Sequence, residues 1–245
     1  MADDVFFTIL NTVDSTNNYA MGRVHEGLAK HGLLWFANEQ TGGKGQRGKA
    51  WATEKGKNIV MSLVLEPGRL QITHQFYLSA AVALACFQFF AAYAGEETKI
   101  KWPNDLFWRD RKAGGILIEN KFQGKAWKWA VVGIGININQ TRFDKFLINP
   151  VSLKQITGKT FNTIELAKEL YALLMKNLAE LKTAENIMEQ YNEHLYKINK
   201  NVTLRNGDVK FETVIKEVSK EGRLITVDAI EREFDFGEVE WVLPR

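Results

Sequence analysis

The order of hydrophobic patterns predicts an α+β protein. A mixed β-sheet flanked by helices is expected over residues 1–197, followed by a small C-terminal β-barrel over 198–245. Three observations carry this. Strand and helix patterns alternate from residue 5 to residue 94, then give way to consecutive β-rich runs. A helical period returns between Asn162 and Lys197. Beyond Lys197 the texture changes abruptly to short strands separated by turns.

Each element has its own warrant. "VFFTIL" (5–10) reads as a first strand. In "DSTNNYAMGRVHEG" (14–27) the side-chain oxygens of Asp14 to Asn17 suit a helix start, and Gly27 suits its end. "GLLWFAN" (32–38) and "NIVMSLVLE" (58–66) are strands, and an apolar helix covers roughly 73–94. "TKIKW" (98–102) is a short strand. "DLFW" (105–108), "GGILIENKF" (114–122) and "KWAVVGIGININ" (128–139) form an antiparallel meander, with "QGK" as a turn. Two helices follow, over 162–182 and 183–197, with Leu166, Leu170, Leu173 and Leu174 on one face of the first. The tail reads as about five strands, with turns at Asn206–Gly207 and Glu221–Gly222.

The composition, 45% hydrophobic and 25% charged over 245 residues, is an ordinary globular balance. The single cysteine, Cys86, excludes an internal disulfide framework and a multi-cysteine metal site, and in "LSAAVALACFQFFAAY" it reads as a small buried thiol. The four histidines, His25, His31, His74 and His194, have no metal-ligand spacing. "MADDVFFTIL" lacks the basic-then-apolar order of a secretory signal, and no uninterrupted apolar run is long enough to span a bilayer; a soluble, cytoplasmic protein without a membrane partner is expected. Net charge is +3, but residues 198–245 carry eight basic and ten acidic side chains, while the first 197 carry 24 and 19. The excess of +5 therefore belongs to the larger part, and its crowding at Lys44, Arg47 and Lys49 points to a local anion site rather than a nucleic-acid face.

Four stretches can carry chemistry. "NEQTGGKGQRGKAW" (38–51) is a glycine-spaced cationic loop between two strands. Its ordinary reading is a solvated turn; its functional one is backbone N–H groups and cations gathered round an anion. It is not a Walker A loop, since no Gly-Lys-Ser/Thr follows. In "KWPNDLFW" (101–108), Pro103 makes a rigid corner, after which Asn104 and Asp105 are either turn residues or an amide and a carboxylate aimed into a site, the latter able to hold Mg²⁺ beside phosphates. "RKAGGILIEN" (111–120) sets Lys112 beside Gly114 and Gly115, a solvated edge charge or a ligand-facing cation. In "VVGIGININQ" (131–140), Gly133 and Gly135 strip one face of a strand, with Asn137 next on that face; a bulge or tight packing is the plainer explanation. Together they converge on a glycine-lined pocket with cations and one rigidly held carboxylate, the way adenylating and phosphoryl-transfer sites are built.

Taken in order, "DSTN", "GKGQRGKAW", "KWPND", "RKAGGIL" and "GIGININ" resemble the motifs of the biotin protein ligases (holocarboxylase synthetases), across nearly the whole chain. The resemblance implies that the tail is the family's SH3-like domain. It also implies that biotin and ATP, with Mg²⁺, yield biotinyl-5′-AMP and pyrophosphate, the biotinyl group then passing to a lysine of a biotin carboxyl carrier domain. Biotin would be held by Ser15, Thr16, Asn17, Gln40, Gly43, Lys44, Gly45, Trp51, Lys112 and Gly115. ATP would be served by Lys44, Gln46, Arg47, Lys49, Trp51, Asn104 and Asn137. Lys112, Asp105 and Arg47 would be catalytic, with Asp105 also the magnesium ligand. The loop would close over the adenylate and keep it from water.

The family loop often carries arginine where Lys44 and Gln46 stand here; Gln46 cannot supply that charge, so retention of the intermediate is expected either to be weaker or to be carried by Arg47 or Lys44. Family members often pair through the central sheet. Many carry an N-terminal DNA-binding domain; this chain opens at the first catalytic strand, so DNA binding is not expected. A lipoate or octanoate ligase is the nearest alternative, but its Arg-Arg-x-Ser-Gly-Gly-Gly-like signature is absent. An RNA- or nucleotide-binding module is disfavoured by the acidic tail.

Overall fold

The computed structural model describes residues 6–68, 75–145, 147, 149–179 and 185–243. Its large sheet has seven strands in the order β1-β2-β3-β7-β6-β5-β4. These are β1 (Phe7–Val13), β2 (Leu34–Gln40), β3 (Ile59–Leu65), β4 (Thr98–Lys101), β5 (Asp105–Trp108), β6 (Arg111–Gln123) and β7 (Ala126–Ile136). Only β1 and β2 run parallel, joined through helix α1 (Thr16–His25). All other neighbours are antiparallel, so the sheet is mixed and β5-β6-β7 is the expected meander.

Both faces of the sheet are covered, which is why its central strands read as unbroken apolar runs. Along β2, Leu34 and Phe36 enter the main core with Met61, Leu63 and Leu65, while Trp35 turns to the opposite face with Val64, Val131 and the α1 residues Ala20 and Val24. On the main-core face lie α2 (Gln75–Ala94), α3 (Leu153–Thr157), α4 (Thr163–Ala179) and α5 (Glu185–Glu193). The stripe expected on α4 is present: Leu166, Leu170 and Leu174 are buried and Leu173 packs partly buried against them. Cys86 is fully buried on α2, and desolvation pushes its thiol up to about 12.

Several elements differ from the sequence reading. Helix α2 is, by length and composition, apolar enough to cross a bilayer, against the expectation that no such run exists; here that apolarity is mostly buried in the core. Its expected start at 73–74 lies outside the described residues, as do residue 5 of the first strand and 180–184 between the last helices. β1 runs on to Val13 because parallel pairing with β2 continues to Val13↔Gln40. Strand β7 stops at Ile136, three residues earlier than expected, where Asn137 N turns to Ala113 O. α5 ends at Glu193 rather than 197, because His194 O accepts from Ile100 N and Ile100 O from Tyr196 N, drawing the chain onto the β4 edge. Helix α3, not anticipated, is set by a Ser152–Gln155 capping box and a left-handed Gly158.

The tail forms a five-stranded antiparallel sheet in the order β11-β10-β9-β8-β12. Its strands are β8 (Asn201–Asn206), β9 (Val209–Val218), β10 (Leu224–Val227), β11 (Glu231–Phe234) and β12 (Glu240–Trp241). The number of strands and both turns are as expected, but the barrel is not closed: β11 and β12 do not pair, and β12, two residues long, turns Trp241 toward the large sheet. Hydrophobic packing is continuous across residue 197, with Leu204, Ile215, Val218 and Leu224 in the main core. Asn192 of α5 bonds both the N–H (2.8 Å) and the carbonyl (3.0 Å) of Val218. Trp102, 1% exposed, donates from Nε1 to Gly222 O at 2.8 Å, and a Cβ on Gly222 would meet the Phe76 ring at 2.4 Å.

Trp102→Phe, which leaves Gly222 O without its donor, is expected to lower stability by about 1–3 kcal/mol, read as an earlier urea midpoint with an unchanged slope.

Candidate active site

The glycine loop folds back on itself. Gly42 N is fixed to Asp14 O (2.8 Å), Gly45 N to Lys49 O (2.6 Å) and Trp51 N to Gly43 O (2.9 Å), and Lys44 bridges Ala50. A 3₁₀ turn at Gln46–Gly48 forms the tip, with Arg47 at a positive φ of 56°. A Cβ on Gly43 would stand 2.3 Å from Trp51 O, so this position is closed to any side chain. The hairpin delivers the Trp51 indole onto the glycine strip of β7, where a Cβ on Gly135 would come within 2.4 Å of it. Gly133 does the same for Asn17, at 2.2 Å. The bare face of the strand is thus filled by two of the protein's own side chains, so tight packing, the plainer explanation of these glycines, is what the structure has.

At one end of the resulting cavity, of about 540 Å³, lies a polar cluster at the start of α1. Ser15 Oγ caps the helix by accepting from Asn18 N. Thr16 donates from N (2.8 Å) and Oγ1 (3.0 Å) to Gln40 Oε1. Ser62 Oγ lies 2.7 Å from Thr16 Oγ1 and 2.6 Å from Asn17 Oδ1, and Asn17 Nδ2 donates to Glu119 Oε2 at 2.8 Å.

The other end is ionic. After the cis Trp102–Pro103 bond, Asn104 is clamped to β6, donating from Nδ2 to Ile116 O (2.6 Å) and accepting Ile116 N at its own carbonyl (3.0 Å). Asp105 is left facing two lysines: Lys112 Nζ at 2.6 Å from Oδ1, and Lys101 Nζ at 3.9 Å from Oδ2. Lys112 also lies over the Trp51 ring, 5.6 Å from its centre. Lys101 sits between Phe107 (5.2 Å) and Trp241 (5.3 Å). Burial pushes the Lys101 ammonium down to about 8; Lys112 and Lys49 add to the shift, and Asp105 opposes it.

Of the remaining expected residues, Gly115 sits against Trp51 and Asp105, at 3.4 and 3.5 Å from its would-be Cβ. Asn137 lines the cavity with its amide committed to Val151 O (3.1 Å) and Lys112 O (3.4 Å). Gln46 Nε2 reaches Ile116 O at 3.5 Å. Lys44, Arg47 and Lys49 are exposed at the rim, and Arg47 points across to Gly237 O, 3.5 Å away, in the C-terminal sheet. Among the described residues the cavity is lined by five cationic side chains and two carboxylates, one of which, Glu240, is already bonded to Arg205. The surplus is positive and suits an anion. No group of three or more His, Cys, Asp or Glu side chains able to hold a metal occurs among the described residues.

Sequence reasoning missed Lys101, Ser62 and the contribution of the C-terminal sheet, where Phe236, Gly237, Glu240 and Trp241 line the cavity. Ser62 has a local signal, a lone hydroxyl in the fully buried strand "IVMSLVL". Trp241 has none, since its place depends on how the second sheet docks.

Residues 9–137, more than half of the chain, match the biotin/lipoate A/B protein ligase family. The bifunctional ligase/repressor BirA of Bacillus spizizenii is 42% identical over 117 residues, 47% of this chain and only 35% of that protein. The biotin–[acetyl-CoA-carboxylase] ligase of Paracoccus denitrificans is 28% identical over 225 residues, 89% of this chain and 92% of that protein. In fold, the chain is similar to the biotin protein ligase from Aquifex aeolicus solved in complex with biotin and ATP: the TM-score is 0.81 at 23% identity, over 97% of this chain and 99% of that one. The chain belongs to the biotin/lipoate A/B protein ligase family.

Proposed function

We propose that the protein is an ATP-dependent biotin–protein ligase that forms biotinyl-5′-AMP and then biotinylates a lysine of a biotin carboxyl carrier domain. One observation carries the reading: a single cavity with a neutral hydrogen-bonding cluster at one end, the Trp51 indole in the middle and a cationic cluster at the other. Biotin has the same layout, a polar ureido ring, an apolar body and tail, and a carboxylate. In this reading Thr16, Asn17 and Gln40 hold the ring. Ser15 orients that cluster as the helix cap, and Gly43, Gly45, Gly115 and Trp51 wall the apolar part.

ATP enters as its magnesium complex, a substrate whose phosphates and waters supply most of the metal's ligands. Asp105, with both oxygens facing ammonium groups, does not by itself form a metal site; it becomes a magnesium ligand only when Lys112 turns to the substrate. An oxygen of the biotin carboxylate attacks the α-phosphorus, the bond to the bridging oxygen breaks, and pyrophosphate leaves with the electron pair. Lys112 lowers the repulsion between carboxylate and α-phosphate, and Lys44, Arg47 and Lys49 at the rim neutralise the phosphates. Asn104 and Asn137 position the strands around the nucleotide through their main-chain bonds. Closure of the glycine loop keeps water from the mixed anhydride. The carrier lysine amine then attacks the acyl carbon, AMP departs with its oxygen, and the amine releases a proton.

A cytoplasmic location accords with the lone buried thiol. Pairing of two copies would use the β1 edge of the large sheet, since the β4 edge is bridged by Leu195.

The test is to incubate the protein with MgATP and biotin, or with lipoate in parallel, desalt it, and identify the retained adenylate by mass spectrometry. Biotinyl-AMP is expected; lipoyl-AMP alone would move the assignment to the lipoate branch. Lys112→Ala is expected to slow adenylation by at least about 100-fold with the fold intact by circular dichroism. Gly135→Ala, whose methyl displaces the Trp51 indole, is expected to raise the biotin KM about tenfold and to shift tryptophan emission.

A further inference from the structure

Asn17 lies over the bare backbone of Gly133 and is held from both sides. Gly133 pairs with Ser62 of β3 on one side and with Leu117 of β6 on the other. The Asn17 side chain, 3% exposed, reaches across both. Its Nδ2 donates to Glu119 Oε2 at 2.8 Å and to Leu117 O at 3.4 Å, while its Oδ1 lies 2.6 Å from Ser62 Oγ. A carboxylate and a carbonyl only accept hydrogen bonds, so this amide has one orientation. Turned over, its oxygen would face two other oxygens and forfeit the charge-assisted bond to Glu119.

The fixed Asn17 oxygen leaves the neighbouring network one hydrogen short. Gln40 is fixed in the same sense at the opposite end, since its Oε1 takes the Thr16 N–H at 2.8 Å. Between these two acceptors stand two hydroxyls, in three contacts: Asn17 Oδ1 to Ser62 Oγ (2.6 Å), Ser62 Oγ to Thr16 Oγ1 (2.7 Å) and Thr16 Oγ1 to Gln40 Oε1 (3.0 Å). Each hydroxyl carries one hydrogen, so two hydrogens serve three contacts. One pair of oxygens therefore always meets lone pair to lone pair, in a buried cluster where that is costly.

Thr16, Asn17 and Gln40 line the cavity, and Glu119 stands behind them, outside its lining. We propose that Glu119 is a positioning residue for the ring end of the cavity: by fixing the Asn17 amide it makes the cluster a hydrogen-bond acceptor, which selects ligands that bring an N–H group. The role rests on the ligase reading above, in which that group is a ureido N–H of biotin. The hydrogen missing from the protein is then supplied by the ligand, and a ring without it leaves buried oxygens unpaired.

Glu119→Gln in the full chain tests this, because it keeps the shape and adds a donor. The new amide can donate to Asn17 Oδ1, so Asn17 turns over and its own Nδ2 supplies the third hydrogen to Ser62. The biotin KM is expected to rise about tenfold and the MgATP KM to stay in place. Preference for biotin over at least one of its two ureido-N-methyl derivatives should fall about tenfold, since a ligand N–H is no longer needed. Preference over desthiobiotin, which keeps both ureido N–H groups, should not change. A ligand-free measurement stands beside these: in ¹⁵N-asparagine-labelled protein, solvent exchange of the Asn17 side-chain amide should be about tenfold faster in Glu119→Gln than in the wild type. Equal losses for biotin, desthiobiotin and both N-methyl derivatives would make Glu119 a merely structural residue and overturn the proposal. Unaltered exchange of the Asn17 amide would overturn it as well. A wild type that forms no biotinyl-AMP, with the Asn17 amide still answering to Glu119→Gln, would support the fixed amide and overturn the ligase reading instead.

Discussion

The Asp105 carboxylate is the constraint on which the site depends. It is the one negative charge between two lysines that enter from different strands, and without it their ammonium groups would repel each other inside a cavity. Its position is set by sheet register, since Asp105 pairs across β4 with Lys101 and across β6 with Gly115. The corner leading into it is held from outside the large sheet, through the Trp102 indole bonded to the Gly222 carbonyl. The docking of the C-terminal sheet and the placement of the central carboxylate are therefore one packing problem.

A second constraint is steric. Gly43, Gly133 and Gly135 are needed because Gln40, Trp51 and Asn17 press directly on their backbone. The loop glycines and the strand glycines thus work as a pair: one set bends the loop so that Trp51 can reach the sheet, and the other leaves room for it to land. The cations of the loop stay at the rim, where they can meet a ligand without bearing the desolvation that Lys101 carries.

Local chemistry was legible in the sequence, and long-range contacts were not. The start of α1 within Asp14 to Asn17, the turn between β6 and β7 and the buried stripe of α4 follow from neighbours a few residues apart. The grouping of Thr16, Gln40, Trp51, Asp105 and Lys112 is long-range and came from the family resemblance of the motifs rather than from any local pattern; the cavity brings the five together. The end of α5 was not legible, because the competitor for residues 194–197 is the distant edge of β4. The open edge of the second sheet escaped for a similar reason: strand count is periodic information, but closure depends on whether β11 and β12 meet. Lys101 escaped because a lysine beside Trp-Pro carries no mark of its burial.

The placement of Cys86 has a practical consequence. The chain has a single thiol, enclosed in the core and held protonated by its surroundings, so it is silent toward maleimides and other alkylating reagents in the folded state. Any cysteine introduced at the rim, on the Gln46–Gly48 turn or opposite it near Gly237, would then be the sole point of attachment for a fluorophore or spin label. The distance across the mouth of the cavity can in this way be followed spectroscopically in the otherwise unaltered chain.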